Sequence, residues 1–99
     1  MPARVMVFAR IGPADRDAFE EAFATVSARV HGTPGHLSDE LLRNEDDPGA
    51  YILLSEWESR EAFLAWEDAP VHREATTPMR PFWRGRVERL IYETAVARA

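Results

Sequence analysis

Two short runs of this sequence are apolar on both sides of an extended chain, and that restricts what the chain can become. From Arg4 to Ile11, Val5, Val7, Ala9 and Ile11 alternate with Met6, Phe8 and Arg10; from Tyr51 to Trp57, Tyr51, Leu53 and Trp57 alternate with Ile52 and Leu54. A strand with one wet face alternates apolar with polar residues, so these runs need cover on both sides.

The segments between them supply the helices. Gly12-Pro13 breaks the first run, and Asp15 or a nearby polar residue can cap a helix carrying Phe19, Phe23, Val26 and Val30 at helical spacing. Gly32 and Pro34-Gly35 end it. A second strand follows over about His36 to Arg43, and the turn-forming cluster Asn44 to Gly49 joins it to the Tyr51–Trp57 run as a hairpin. Ser59 can cap a second helix that turns Phe63 and Trp66 inward, with Glu61 at the positive end of its dipole. Pro70 interrupts it, a short helical piece runs from Val71 to Thr76, and a last strand spans roughly Arg84 to Glu93 before a frayed tail.

The order is therefore β-α-β-β-α-β, an α+β class with a four-stranded antiparallel sheet. At 99 residues it forms a single domain, 1–99. Two helices cover only one face of such a sheet, yet three strands carry large apolar residues on both. A sheet-to-sheet homodimer accounts for the second face.

Other features exclude whole classes. There is no cysteine, hence no disulfide, thiolate metal site or cysteine nucleophile. The net charge is -5, with no basic cluster to meet phosphates, which argues against a nucleic-acid partner. The chain enters its first strand without a long apolar stretch, so the expectation is a cytoplasmic protein with no membrane partner. The acidic turn Glu45 to Asp47 lacks the ligand spacing of a calcium loop and reads as a solvated turn. No phosphate-binding glycine loop, nucleophile elbow or zinc helix is present.

What remains is a stretch rich in aromatic residues and histidine. Pro34-Gly35-His36, Leu41-Leu42-Arg43, Asp47-Pro48, Tyr51, Trp57-Glu58-Ser59, Glu61-Ala62-Phe63, Trp66, Pro70 and His72-Arg73 together resemble the antibiotic biosynthesis monooxygenase family. That resemblance implies a ferredoxin-like domain that dimerises through its sheets as a dimeric α+β barrel. It also implies one of several activities: oxidation of aromatic quinols or anthrones by dioxygen without a cofactor, haem degradation, or action on small signalling molecules. In the haem-degrading members an asparagine on the first strand, a tryptophan on the second helix and a later histidine form the site. Trp66 matches the tryptophan, but the asparagine position holds Ala9, the histidine position falls near Thr76, and His72 lies about one turn early.

Cofactor-free oxygenation needs a dry cavity, a proton acceptor and a donor for the substrate oxyanion. His72 suits the base by its near-neutral pKa. Trp66 offers an indole N–H and a stacking wall, with Phe63, Phe23, Val7 and Ala9 completing the pocket and Arg73 or Arg10 facing a phenolate. Each has a plainer reading: Trp66 as core packing, His72 as a surface or capping residue, and Trp57 as interface packing. His31 and His36 read as structural or solvated, Tyr92 as packing, and Glu56 as a pocket acid only if its strand face points to the helices. The leading expectation is a cofactor-free oxygenase taking a small aromatic molecule and dioxygen. A haem-binding or haem-degrading protein and a non-catalytic, dimeric ligand-binding module are the alternatives.

Overall fold

The computed structural model describes residues 2–99. Strand β1 (Ala3–Arg10) leads through a 3-10 turn at Pro13–Asp15 into helix α1 (Arg16–Val30). The hairpin of β2 (His36–Arg43) and β3 (Ala50–Trp57) follows. Helices α2 (Arg60–Asp68) and α3 (Pro70–Thr76), a 3-10 segment Thr77–Phe82 and β4 (Glu88–Glu93) complete the chain. The strands form one antiparallel sheet in the order β2-β3-β1-β4, the ferredoxin-like arrangement expected. The two runs that are apolar on both sides are its two central strands, paired from Ala3 opposite Trp57 to Arg10 opposite Ala50.

Paired residues share a face of the sheet. The inner face carries Val5, Ala9, Tyr51, Leu53 and Trp57, which pack with Phe19, Val26 and Val30 of α1, Phe63 of α2 and Met79 into one core. On the outer face the register sets Phe8, Ile52 and Leu42 in one row and Met6, Leu54 and Leu90 in the next. Phe8 is 37% exposed, Leu42 39% and Tyr92 54%. Glu56 also lies on this outer face, opposite Arg4, so it is no pocket acid.

Local chemistry sets the joints. The Ser59 hydroxyl accepts from the Ala62 N–H at 3.1 Å, the cap expected for α2. Asp15 makes no such cap: α1 opens through a 3-10 turn with Pro13 in its first turn, and the Asp15 carboxylate lies 3.5 Å from Arg84 instead. Gly35 has φ +84, and a Cβ there would sit 2.5 Å from the Ala62 Cβ, so only glycine lets α2 pass this closely. The last strand starts at Glu88 and not at Arg84. Pro78 and Pro81 hold the chain in the 3-10 segment, Trp83 bridges to Ile11, and Gly85 turns at φ +71 before pairing with β1 begins.

Candidate active site

Between the inner face of the sheet and the helices lies a cavity of about 230 Å³. Val5, Val7, Leu53 and Trp57 form its floor, and Phe23, Val26 and Val30 of α1 form one wall. Phe63 and Trp66 of α2, then His72, Met79 and Arg80, form the other, with Trp83 at one end. Trp66 and His72 are half-buried and meet edge to face, their ring centroids 4.5 Å apart. The seven residues from Trp66 to His72 span the α2–α3 break. Pro70 at the head of α3, with the His72 N–H bonded to the Ala69 carbonyl at 3.0 Å, fixes the kink that brings the imidazole back over the indole.

Of the residues singled out from sequence, Trp66, His72, Phe63, Phe23 and Val7 line this cavity. Ala9 does not: it is buried opposite Tyr51, at the end of the sheet where Phe19 packs edge-on against Tyr51 at 5.2 Å. Arg73 is exposed on α3 and does not line the cavity; its carbonyl accepts from the Thr77 hydroxyl at 2.6 Å and from the Thr76 hydroxyl at 3.4 Å. Arg10 is turned away as well, paired with Asp47 of the hairpin turn. Trp57 reverses the expectation of interface packing. It is 0% exposed, stacks on Trp66 at 5.3 Å, and meets Phe63 at 5.5 Å and His36 at 5.0 Å. Nothing of its ring is left for a partner to cover.

Burial, and after it the charge of Arg80, hold the His72 imidazole below its ordinary pKa, with Glu67 pulling weakly the other way. The ring is therefore neutral at pH 7, the form that accepts a proton. Arg80 donates through Nε and Nη2 to the buried Thr76 hydroxyl at 3.1 and 2.8 Å, and that hydroxyl donates to the His72 carbonyl at 2.9 Å.

A polar strip crosses the otherwise apolar floor. Asp39 and Ser55 are opposite one another on β2 and β3. Asp39 accepts from Ser27 at 2.6 Å and is 2.7 Å from His36 Nε2, while Ser55 accepts from the Trp57 indole at 2.9 Å. His36 is therefore neither free nor solvated; its side chain is 6% exposed. At the rim Arg89 grips both oxygens of Glu67, at 3.0 and 2.7 Å. Sequence reasoning passed over Asp39 and Arg80, and Trp83 stands out there only as one of an aromatic-rich stretch able to fill a core or wall a pocket. Strand alternation could have placed Asp39 inward, but Arg80 and Trp83 lie on a 3-10 segment and a connection with no periodicity to read.

An antibiotic biosynthesis monooxygenase family model matches residues 2–77. The chain belongs to that family. Protein SchA of Streptomyces halstedii is 40% identical over 65 residues, 66% of this chain, although the chain spans only 17% of SchA's length. A mycobilin-producing heme oxygenase of Mycobacterium tuberculosis is 39% identical over 51 residues, 52% of this chain and 49% of that enzyme. The crystal structure of SnoaB, a cofactor-independent oxygenase from Streptomyces nogalater, superposes with a TM-score of 0.76 over 97% of this chain and 94% of that one. At 24% identity that likeness establishes the fold of this monooxygenase-family chain and not its chemistry. Among the described residues, no helix is long and apolar enough to cross a membrane.

Proposed function

We propose that the chain is a cofactor-independent monooxygenase that oxidises a small aromatic quinol or anthrone with dioxygen, acting as a sheet-to-sheet homodimer. The observation that carries this reading is the neutral His72 imidazole set against Trp66 in an aromatic-walled cavity. Its volume of about 230 Å³ lies just under the ~300–1,000 Å³ of typical small-molecule sites, a scale suited to a few fused rings.

In the proposed reaction His72 takes a proton from the substrate's acidic C–H, leaving a delocalised carbanion between Trp66 and the apolar floor. The carbanion passes one electron to dioxygen, and the two radicals combine to a peroxide on the substrate carbon. Heterolysis of the O–O bond, with loss of the remaining C–H proton, leaves a carbonyl and releases water. Both atoms of dioxygen are accounted for, one in the carbonyl and one in water, and the methylene carbon loses four electrons. The protein supplies a base, exclusion of bulk water and a rigid stack that orients the ring.

The homodimer reading rests on the outer sheet face, where Met6, Phe8, Ile52, Leu54, Leu42 and Leu90 form two adjoining apolar rows.

A second reading, haem binding or degradation, is favoured by the 39% identity to the mycobilin-producing enzyme. The residues present suit haem less well. Ala9 stands at the asparagine position and does not line the cavity, and the Thr76 hydroxyl is already engaged with Arg80 and the His72 carbonyl. Hemin titration separates the two readings: the first expects no saturable Soret shift, together with oxygen uptake by an anthrone in chelator-treated buffer. A saturable, stoichiometric Soret shift that bleaches with reductant would install the second reading in its place.

A further inference from the structure

Two polar groups at one end of the cavity have no role in the proposed proton transfer. The first is Arg80. Its Nε and Nη2 point to the Thr76 hydroxyl, which fixes one edge of the guanidinium, and among the described residues no carboxylate pairs with it. The other arginine on the wall, Arg89, is neutralised by both oxygens of Glu67. Asp39 is the remaining carboxylate on the lining, and its two oxygens face Ser27 and His36. Arg80 thus keeps a half-buried positive charge facing an apolar space. Burial first and Arg73 second weigh against that charge, but a guanidinium does not lose its proton.

The second group is the Trp83 indole N–H, buried without an acceptor. Trp83 also lines the cavity, and the Arg80 guanidinium lies over its ring at 5.6 Å, which holds the guanidinium in one corner of the wall. A half-buried arginine charge with no carboxylate partner on an apolar wall is unfavourable, and a bound anion relieves it. Both residues lie beyond the stretch 2–77 that the family model matches.

We propose that the Arg80–Trp83 corner is an anion subsite, so that the cavity's ligand carries a negatively charged oxygen, carboxylate or phenolate, on its aromatic frame. The subsite adjoins His72, whose pKa Arg80 already lowers. An anionic oxygen held there would leave the rest of the ring system between Trp66 and the floor. This inference rests on the reading of the cavity as an aromatic-substrate site, but its test needs no turnover.

The test is calorimetric titration of the purified protein with naphthoate and with naphthamide, which match in shape and differ in charge. A charge-assisted contact predicts that wild type prefers the carboxylate by roughly tenfold or more. Arg80→Met should abolish that preference while leaving the amide's affinity within about twofold, and Arg80→Lys should restore part of it. Naphthol titrated on both sides of its own pKa reports the phenolate case. Equal affinity of wild type for the two naphthalenes, a preference that survives in folded Arg80→Met, or no binding of either compound overturns the proposal. Because the comparison within wild type stands alone, a variant that fails to fold does not rescue it. A carboxylate preference without oxygen uptake would retain the subsite and refute the oxygenase reading; uptake without the preference would do the reverse.

Discussion

Truncating Trp57 separates a core residue from an interface residue. The ring is fully buried and contacts three aromatic rings, and its N–H is bonded to Ser55. Replacing a buried tryptophan with alanine in a close-packed core costs about 3–5 kcal/mol, through lost burial and the cavity left behind. A domain of this size has only about 5–15 kcal/mol in total, so Trp57→Ala should be marginally folded. Trp57→Phe keeps most of the apolar contact but loses the indole bond and part of the stack on Trp66. It should cost about 1–2 kcal/mol, which for a domain near this length is a fall in Tm on the order of 5–15 °C. Urea unfolding followed by far-ultraviolet circular dichroism, at one fixed protein concentration, gives the free-energy change. Light scattering on the same samples gives the assembly state. A loss under about 0.5 kcal/mol in Trp57→Ala, accompanied by weakened self-association, would refute the placement of this ring in the monomer core.

Other consequences follow from the same geometry. Because burial and Arg80 lower the His72 pKa against the weaker pull of Glu67, kcat/KM should fall on the acid side with a midpoint below the ordinary imidazole value of about 6.5; an acid limb at or above that value contradicts it. The unfolded chain binds this proton first, so stability should decline as pH drops through about 6.5, and His72→Gln should flatten that part of the curve. Gly35→Ala meets both a positive φ and the Ala62 methyl, and should cost about 2–4 kcal/mol. Gly32→Ala, with φ +90 but open space, should cost only about 1 kcal/mol in the same urea titration. Phe8→Glu places a charge in the middle of the outer apolar rows and should shift sedimentation from dimer to monomer while the circular dichroism spectrum is kept.

How much of this could be read from sequence depended on whether a residue sat in a periodic element. The two-sided runs located β1 and β3 as central strands, and Ser59 marked the start of α2, because alternation and capping are local signals. Phe23, Phe63 and Trp66 stand at inward helical spacing, whereas His72 stands out in the sequence by its near-neutral pKa alone, and only the structure shows the kink at Pro70 that brings it over the indole. Trp57 was misassigned: a two-sided strand says that both faces are covered, but not which face the helices take. Ala9 and Arg73 were misplaced for a related reason. Facing inward on a strand does not say how far along the sheet the cavity extends, and the α3 register depends on the kink at Pro70. Arg80 and Trp83 reach the site through a 3-10 segment and a bridge to Ile11 that only the assembled sheet creates.

The central claim is that this cavity performs oxygenation of an aromatic ring system with no cofactor, using His72 and Trp66. Isotopically labelled dioxygen tests it directly, with an anthrone as substrate and haem and metals removed by chelation and dialysis. The account predicts product carrying one labelled oxygen in its new carbonyl and the other recovered in water. It also predicts rates at least about tenfold lower in folded His72→Ala and Trp66→Phe variants. Product formed at the uncatalysed rate, or label incorporation that both variants leave unchanged, would contradict it.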